Sequence, residues 1–113
     1  MICNRFDVVV VPFPFIDRPV AKKRPALVLS NADFNGSNHS ILAMITTKHY
    51  PPWPGDSKIQ DYETAGLNTL CLVRFKLFTL DNRLILRKIG HLTHNDAKQI
   101  EVQLNSYLIG NTA

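Results

Sequence analysis

The chain reads as a mainly β protein closed by one C-terminal helix, its strands curled into a small, strongly bent antiparallel barrel or sheet. Three observations predict this. Short apolar and β-branched runs alternate with turn signals through residues 7–92. The apolar period then changes: Ala97, Ile100, Leu104, Tyr107 and Leu108 recur at helical spacing. Finally, 113 residues with 45% apolar content suit one domain, 1–113, with one core.

The strands follow in order. Asp7-Val8-Val9-Val10-Val11 is continuous and β-branched, as a strand buried on both faces would be. Pro12-Phe13-Pro14-Phe15 ends it, and a charged loop runs from Ile16 to Arg24. Ala26 to Leu29 is the second strand. Asn31 to Asn38 is a turn-rich connection, and Ser40 to Thr46 the third strand. Lys48 to Asp56 holds three of the seven prolines and the only tryptophan, Trp53, so it is an irregular loop of the kind that often carries function. Capping of the core by Trp53 is the competing reading.

Lys58 to Gln60 reads as a short edge strand. Thr69 to Phe75 and Leu77 to Leu80 read as two further strands, which puts Lys76 in a surface hairpin. Asp81-Asn82 is a turn and Leu84 to Leu92 resumes the β pattern. Thr93 is an N-cap with Asp96 three residues on, a capping-box variant, and Gly110 is the stop.

Composition bounds the function. Lys plus Arg exceed Asp plus Glu by 13 to 9, which permits a polyanionic partner without requiring one. Cys3 and Cys71 have neither metal-ligand spacing nor the density of a secreted disulfide scaffold, and Cys71 reads as a core residue. His39, His91 and His94 read as turn, strand and helix-start residues; without a third ligand beside His91 and His94, no metal site is expected. The apolar runs are too short for a membrane span or a signal peptide, so the expectation is a soluble cytoplasmic protein with no membrane partner and no cofactor.

The most informative segment is Lys22-Lys23-Arg24-Pro25-Ala26-Leu27-Val28-Leu29-Ser30. Pro25 fixes its own φ and pushes Arg24 towards an extended backbone. Arg24 would then stand at the mouth of a strand, suited to holding a phosphate through two parallel hydrogen bonds. A solvated basic loop ahead of a core strand is the plainer reading of the same residues.

Three blocks, in order, resemble the PemK/MazF toxin family of type II toxin–antitoxin systems: Asp7-Val8-Val9-Val10-Val11-Pro12-Phe13, Arg24-Pro25-Ala26-Leu27-Val28-Leu29-Ser30, and Ala43-Met44-Ile45-Thr46-Thr47. Weaker similarity continues through Val73 to Asp81, Lys88 to Leu92 and the terminal helix. The resemblance implies an SH3-like barrel, a homodimer, metal-independent cleavage of single-stranded RNA, and a cognate antitoxin that blocks the site. Any contact with operator DNA would be made only through that antitoxin. Arg24 matches the arginine of the family's Arg-Pro motif, and Thr46 the threonine that closes the third strand.

Two departures stand out. Phe6 precedes Asp7 where members often have Gly, a change of turn. Phe75 and Lys76 stand where some members carry Asp-Gln, so the acid those members offer as a candidate base is missing.

Cleavage through the neighbouring 2′-hydroxyl needs a proton acceptor, charge stabilisation on the phosphorane, and a proton for the leaving oxygen. Arg24 suits the second task, and Thr46 can orient a phosphate oxygen or the attacking hydroxyl. His49 is the candidate acid/base, provided that its loop folds back. Lys22, Lys23, Thr47, Lys48 and Lys76 are the candidate RNA contacts, with Phe13, Phe15, Tyr50 and Trp53 available to meet bases. Two alternatives stay open on this fold: a non-catalytic poison of gyrase resembling CcdB, and a degenerate barrel that binds RNA or protein without cutting.

Overall fold

Val8, Val9, Val10 and Val11 are all buried, which requires cover on both faces of their strand. The computed structural model, which describes residues 1–12 and 22–110, shows how this is met. β1 (Asp7–Pro12) pairs on one side with β2 (Lys23–Val28) and on the other with β6 (Arg87–His91). β3 (His39–Thr46), β5 (Leu72–Asp81) and the two-residue β4 (Ser57–Lys58) complete a curled six-stranded sheet of order β4-β5-β3-β2-β1-β6, antiparallel throughout.

Alternation along the strands sends side chains to two cores. Val8, Leu27, Ala43, Ile45 and Val73 pack on one face with Ile100 of the C-terminal helix and with Ile59, Ala65 and Cys71 of the connections. Val9, Val11, Ala26, Val28 and Leu42 turn the other way, against Cys3 and Ile85. Both cysteines are buried and unbridged.

Several elements differ from the sequence expectation. β2 starts at Lys23, not Ala26, so Arg24 and Pro25 lie within the strand, opposite Val11 and Val10 of β1. Residues 32–35 form a one-turn helix, α1, because the Asn31 side chain accepts from the Phe34 N–H at 3.0 Å. His39 begins β3 where a turn was expected. The two strands expected over 69–80 are one strand, β5, so Lys76 stands within it and not in a hairpin. Phe13, Phe15 and the loop through residue 21 lie outside the described residues.

Phe6 occupies the left-handed region at φ 70°, the conformation that glycine adopts without a side-chain penalty. Its ring packs against the first core, which offsets the local cost. Gly66, at φ 77°, meets a different need. A Cβ there would fall on the Ile89 carbonyl, so only glycine lets the 61–66 turn lie against β6.

α2 (His94–Leu104) begins as expected, with Thr93 Oγ1 accepting from the Asp96 N–H at 3.2 Å. The capping box is not completed. Asp96 turns away and accepts from the Gln60 and Asp61 N–H groups, 3.1 and 2.9 Å, tying that connection to the helix. Ile100 is buried, and Ala97 and Leu104 pack against the same core. Beyond Leu104 the chain widens into a π-helical turn, Asn105–Ile109, closed by left-handed Gly110. The wider turn breaks the 3.6-residue spacing, so Tyr107 and Leu108, expected on the apolar face, are exposed. No helix among the described residues is long and apolar enough to cross a membrane.

Candidate functional site

Antiparallel register decides which side chains meet at the open end of β2 and β3. The two strands pair Val28 with Leu42, Leu27 with Ala43 and Ala26 with Met44. Continued two residues past the last pair, the same register would align Arg24 with Thr46, and strand alternation puts both on the face of Ala26 and Met44. The hydrogen bonds stop short of that point. The Leu29 N–H donates to the Ile41 carbonyl at 2.8 Å, so alternate residues back along β2, Leu27 and then Pro25, turn their nitrogens towards β3. Pro25 has no N–H to give, and the ladder ends at Ala26–Met44. Pairing with Val11 on the other side still holds Arg24 extended.

Arg24 is half-buried, and among the described residues nothing pairs with its guanidinium. Thr46 is buried, and its Oγ1 accepts from the Lys48 N–H at 3.1 Å. That bond uses the oxygen as acceptor and leaves the hydroxyl proton to donate. A cationic fork and a hydroxyl donor on one face, where the ladder opens, match the needs of a phosphate group.

Sequence reasoning overlooked Arg74. It lies opposite Met44 in β5, on the face shared by Thr46 and Arg24, with a side chain only 8% exposed. Its Nε donates to Asp56 Oδ1 at 3.1 Å and its Nη2 to Asp56 Oδ2 at 2.9 Å. Nη2 also reaches the carbonyls of Lys48 and Pro51, at 3.3 and 3.2 Å. The hydrogen-bonded Asp56 carboxylate raises the pKa of the guanidinium above its ordinary value, against the opposing effect of burial. One signal pointed to it: an arginine inside the run Leu72-Val73-Arg74-Phe75 must find an acid or carbonyls if buried.

Arg74 thus folds the proline-rich loop back onto the sheet at three points. His49 lies between the two anchored carbonyls with its ring exposed, beside exposed Thr47, Lys48 and Tyr50. Lys22 and Lys23 are exposed at the start of β2.

A bulge interrupts β5. β5 carries two more residues than β3 between the pairs Met44–Arg74 and Ala43–Leu77, and these are Phe75 and Lys76. Phe75 supports the loop from below. Gly55, at φ 85°, sits so close that a Cβ would come 3.1 Å from Phe75 Cδ2. The same ring meets Tyr107 edge-on, centroids 6.5 Å apart. Lys76 instead places its ammonium 4.9 Å from the centre of the Trp53 ring. Trp53 is itself exposed.

A groove of about 580 Å³ lies elsewhere, between Phe6, Leu29 and Phe34 on one side and Leu104, Leu108 and Ile109 on the other. It sits at the end of β2 remote from Arg24. Among the described residues no three of His, Cys, Asp and Glu converge as metal ligands.

Comparison with known proteins places this arrangement. Residues 4–108 match the family model of the PemK-like, MazF-like toxins of type II toxin–antitoxin systems. No curated protein matches. Among solved structures, MazF from Deinococcus radiodurans superposes with a TM-score of 0.72 at 21% identity, covering 94% of this chain and 96% of that one. The MazE–MazF complex from the same organism gives 0.74 at 18%, covering 94% and 95%. An endoribonuclease in complex with its cognate antitoxin, from a mycobacterial species, gives 0.71 at 17%, covering 93% and 91%. At these identities the superpositions establish the fold, while the family model, matched over nearly the whole sequence, establishes kinship: the chain belongs to the PemK-like, MazF-like toxins of type II toxin–antitoxin systems.

Proposed function

We propose that this protein is an endoribonuclease that cuts single-stranded mRNA without a metal ion, acts as a homodimer, and is held in check by a cognate antitoxin. The observation that carries the reading is the β2–β3 register, which, continued two residues past Ala26–Met44 to where Pro25 ends the ladder, aligns Arg24 with Thr46. Structural neighbours described as an endoribonuclease with its cognate antitoxin, and as MazE–MazF, support the activity and the partner. Operator DNA would be met only through the antitoxin.

In this reading the substrate's 2′-oxygen attacks the adjacent phosphorus. A P–O2′ bond forms and the bond to the 5′-oxygen breaks, leaving a 2′,3′-cyclic phosphate and a 5′-hydroxyl. Arg24 holds two non-bridging oxygens through its fork and stabilises the added negative charge. Thr46 donates its hydroxyl proton to the phosphate and fixes its orientation. His49 takes the 2′ proton and returns one to the leaving oxygen. Lys22, Lys23, Lys48 and Lys76, with Thr47, attract the backbone, an effect that weakens as salt rises.

Phe75, matched by resemblance to a position where some members carry an acid, favours one competing reading, a barrel that binds RNA without cutting. One experiment separates them: purified protein is incubated with a long RNA in excess chelator, and both ends of every product are mapped. Cyclic-phosphate and 5′-hydroxyl ends at a recurrent sequence support the proposal. Intact RNA, or cutting only when metal is restored, rejects it.

A further inference from the structure

We propose that Trp53 is a base-stacking platform that reads one nucleobase beside the scissile phosphate, held in position by Arg74, Asp56 and Lys76. This rests on the proposal that the protein engages single-stranded RNA. Trp53 is 41% exposed, so part of its indole is open to a ligand. Yet its backbone is tied down. The Trp53 N–H donates to Asp56 Oδ2 at 3.0 Å, and the Asp56 N–H donates to the Trp53 carbonyl at 3.1 Å. Asp56 is in turn the carboxylate gripped by buried Arg74.

The bulge in β5 supplies the other half. It lifts Lys76 out of the ladder and sets its ammonium over the indole ring. An aromatic ring braced in this way loses little freedom on binding, so stacking is realised with little ordering cost. Every base has a π-face, and exposed aromatics beside a cationic track are how single strands are held. The anchor lies on the face of Thr46 and Arg24: Arg74 is opposite Met44, two residues from Thr46. Adjacent strands are roughly 4.8 Å apart, which keeps Arg24, Thr46 and Arg74 within the span of one or two nucleotides.

Trp53 is the only tryptophan, so its fluorescence reports the contact directly. The full chain is titrated with a 2′-O-methyl oligonucleotide that cannot be cleaved, following indole emission and, separately, oligonucleotide anisotropy. Stacking predicts saturable quenching in step with binding. An abasic site moved along the oligonucleotide should abolish the quenching at one position and spare it elsewhere. Trp53→Ala should weaken binding about ten- to hundredfold, with Trp53→Phe recovering most of it, because the phenyl ring still stacks. Binding by anisotropy without quenching, absence of binding, or quenching by an acidic peptide but not by the oligonucleotide would each overturn the proposal. Position-dependent quenching in a protein that never cuts RNA would uphold the platform while rejecting the nuclease reading.

Discussion

Arg74 and Asp56 face each other through two parallel hydrogen bonds, Nε to Oδ1 at 3.1 Å and Nη2 to Oδ2 at 2.9 Å, with both side chains largely withdrawn from water. The pair joins the middle of the sheet to the loop that carries His49, Tyr50 and Trp53. Removing one partner leaves the other charge buried without compensation. Arg74→Met or Asp56→Asn should therefore lower stability by on the order of 3 kcal/mol. Urea unfolding of each variant measures this; a loss below about 1 kcal/mol, the range of exposed pairs, would show the clamp to be slack.

Arg24 sits in β2 with no partner among the described residues, so it contributes charge more than structure. Arg24→Ala should lower RNA cleavage by about a thousandfold, as loss of a preorganised donor to a developing charge does, with little change in melting temperature. Arg24→Lys should recover only part, because an ammonium cannot form the two-bond fork. Cleavage by the alanine variant at the wild-type rate would remove Arg24 from the site.

Thr46 has two tasks, accepting from the Lys48 N–H and offering its own proton. Thr46→Ser keeps both and should stay within a few-fold of wild type. Thr46→Val keeps the shape and loses both; it should cost about 1 kcal/mol of stability from the lost hydrogen bond and at least tenfold in cleavage. Chemical denaturation and the cleavage assay, run on both variants, separate the structural share from the chemical one.

At Phe6 the order of two substitutions should reverse. Replacing a partly buried ring by alanine ordinarily harms a protein less than replacing it by glycine, because glycine costs more backbone entropy. Phe6 is at φ 70°, where alanine retains the left-handed penalty and glycine does not. Phe6→Gly should therefore be the more stable of the two by about 1 kcal/mol. Thermal melts of the two variants decide it.

Asp81 offers a test in pH. The Arg83 side chain, and then the Arg83 N–H, hydrogen-bond its carboxylate and lower its pKa from an ordinary 3.8 to about 2. Because the folded value is the lower one, the linkage favours the fold above the unfolded pKa and is lost as pH falls from near 3.8 through about 2. Arg83→Ala removes the larger cause and leaves the N–H, so the carboxyl should titrate between those two values. NMR titration of the Asp81 side chain checks this, and an unchanged midpoint would assign the shift elsewhere.

Much of the fold was legible because it is written in local pattern. The valine run, the apolar stretch ending at Thr46, the period change at Thr93 and the stop at Gly110 each act within a few residues, and each element lies where that chemistry puts it. Arg24 and Thr46 were legible as candidates through proline stereochemistry and through resemblance. What local pattern does not carry is anything that depends on a partner distant in the chain. β5 runs through Lys76 as one strand because β3 offers it a continuous edge, a fact absent from residues 72–81 themselves. Arg74 has a clear role only once Asp56, eighteen residues away, reaches it. Residue order and side-chain chemistry settled where β1, β3 and α2 form. Pairing across the sheet decided which side chains share a face, because register is a relation between strands that neither strand holds alone.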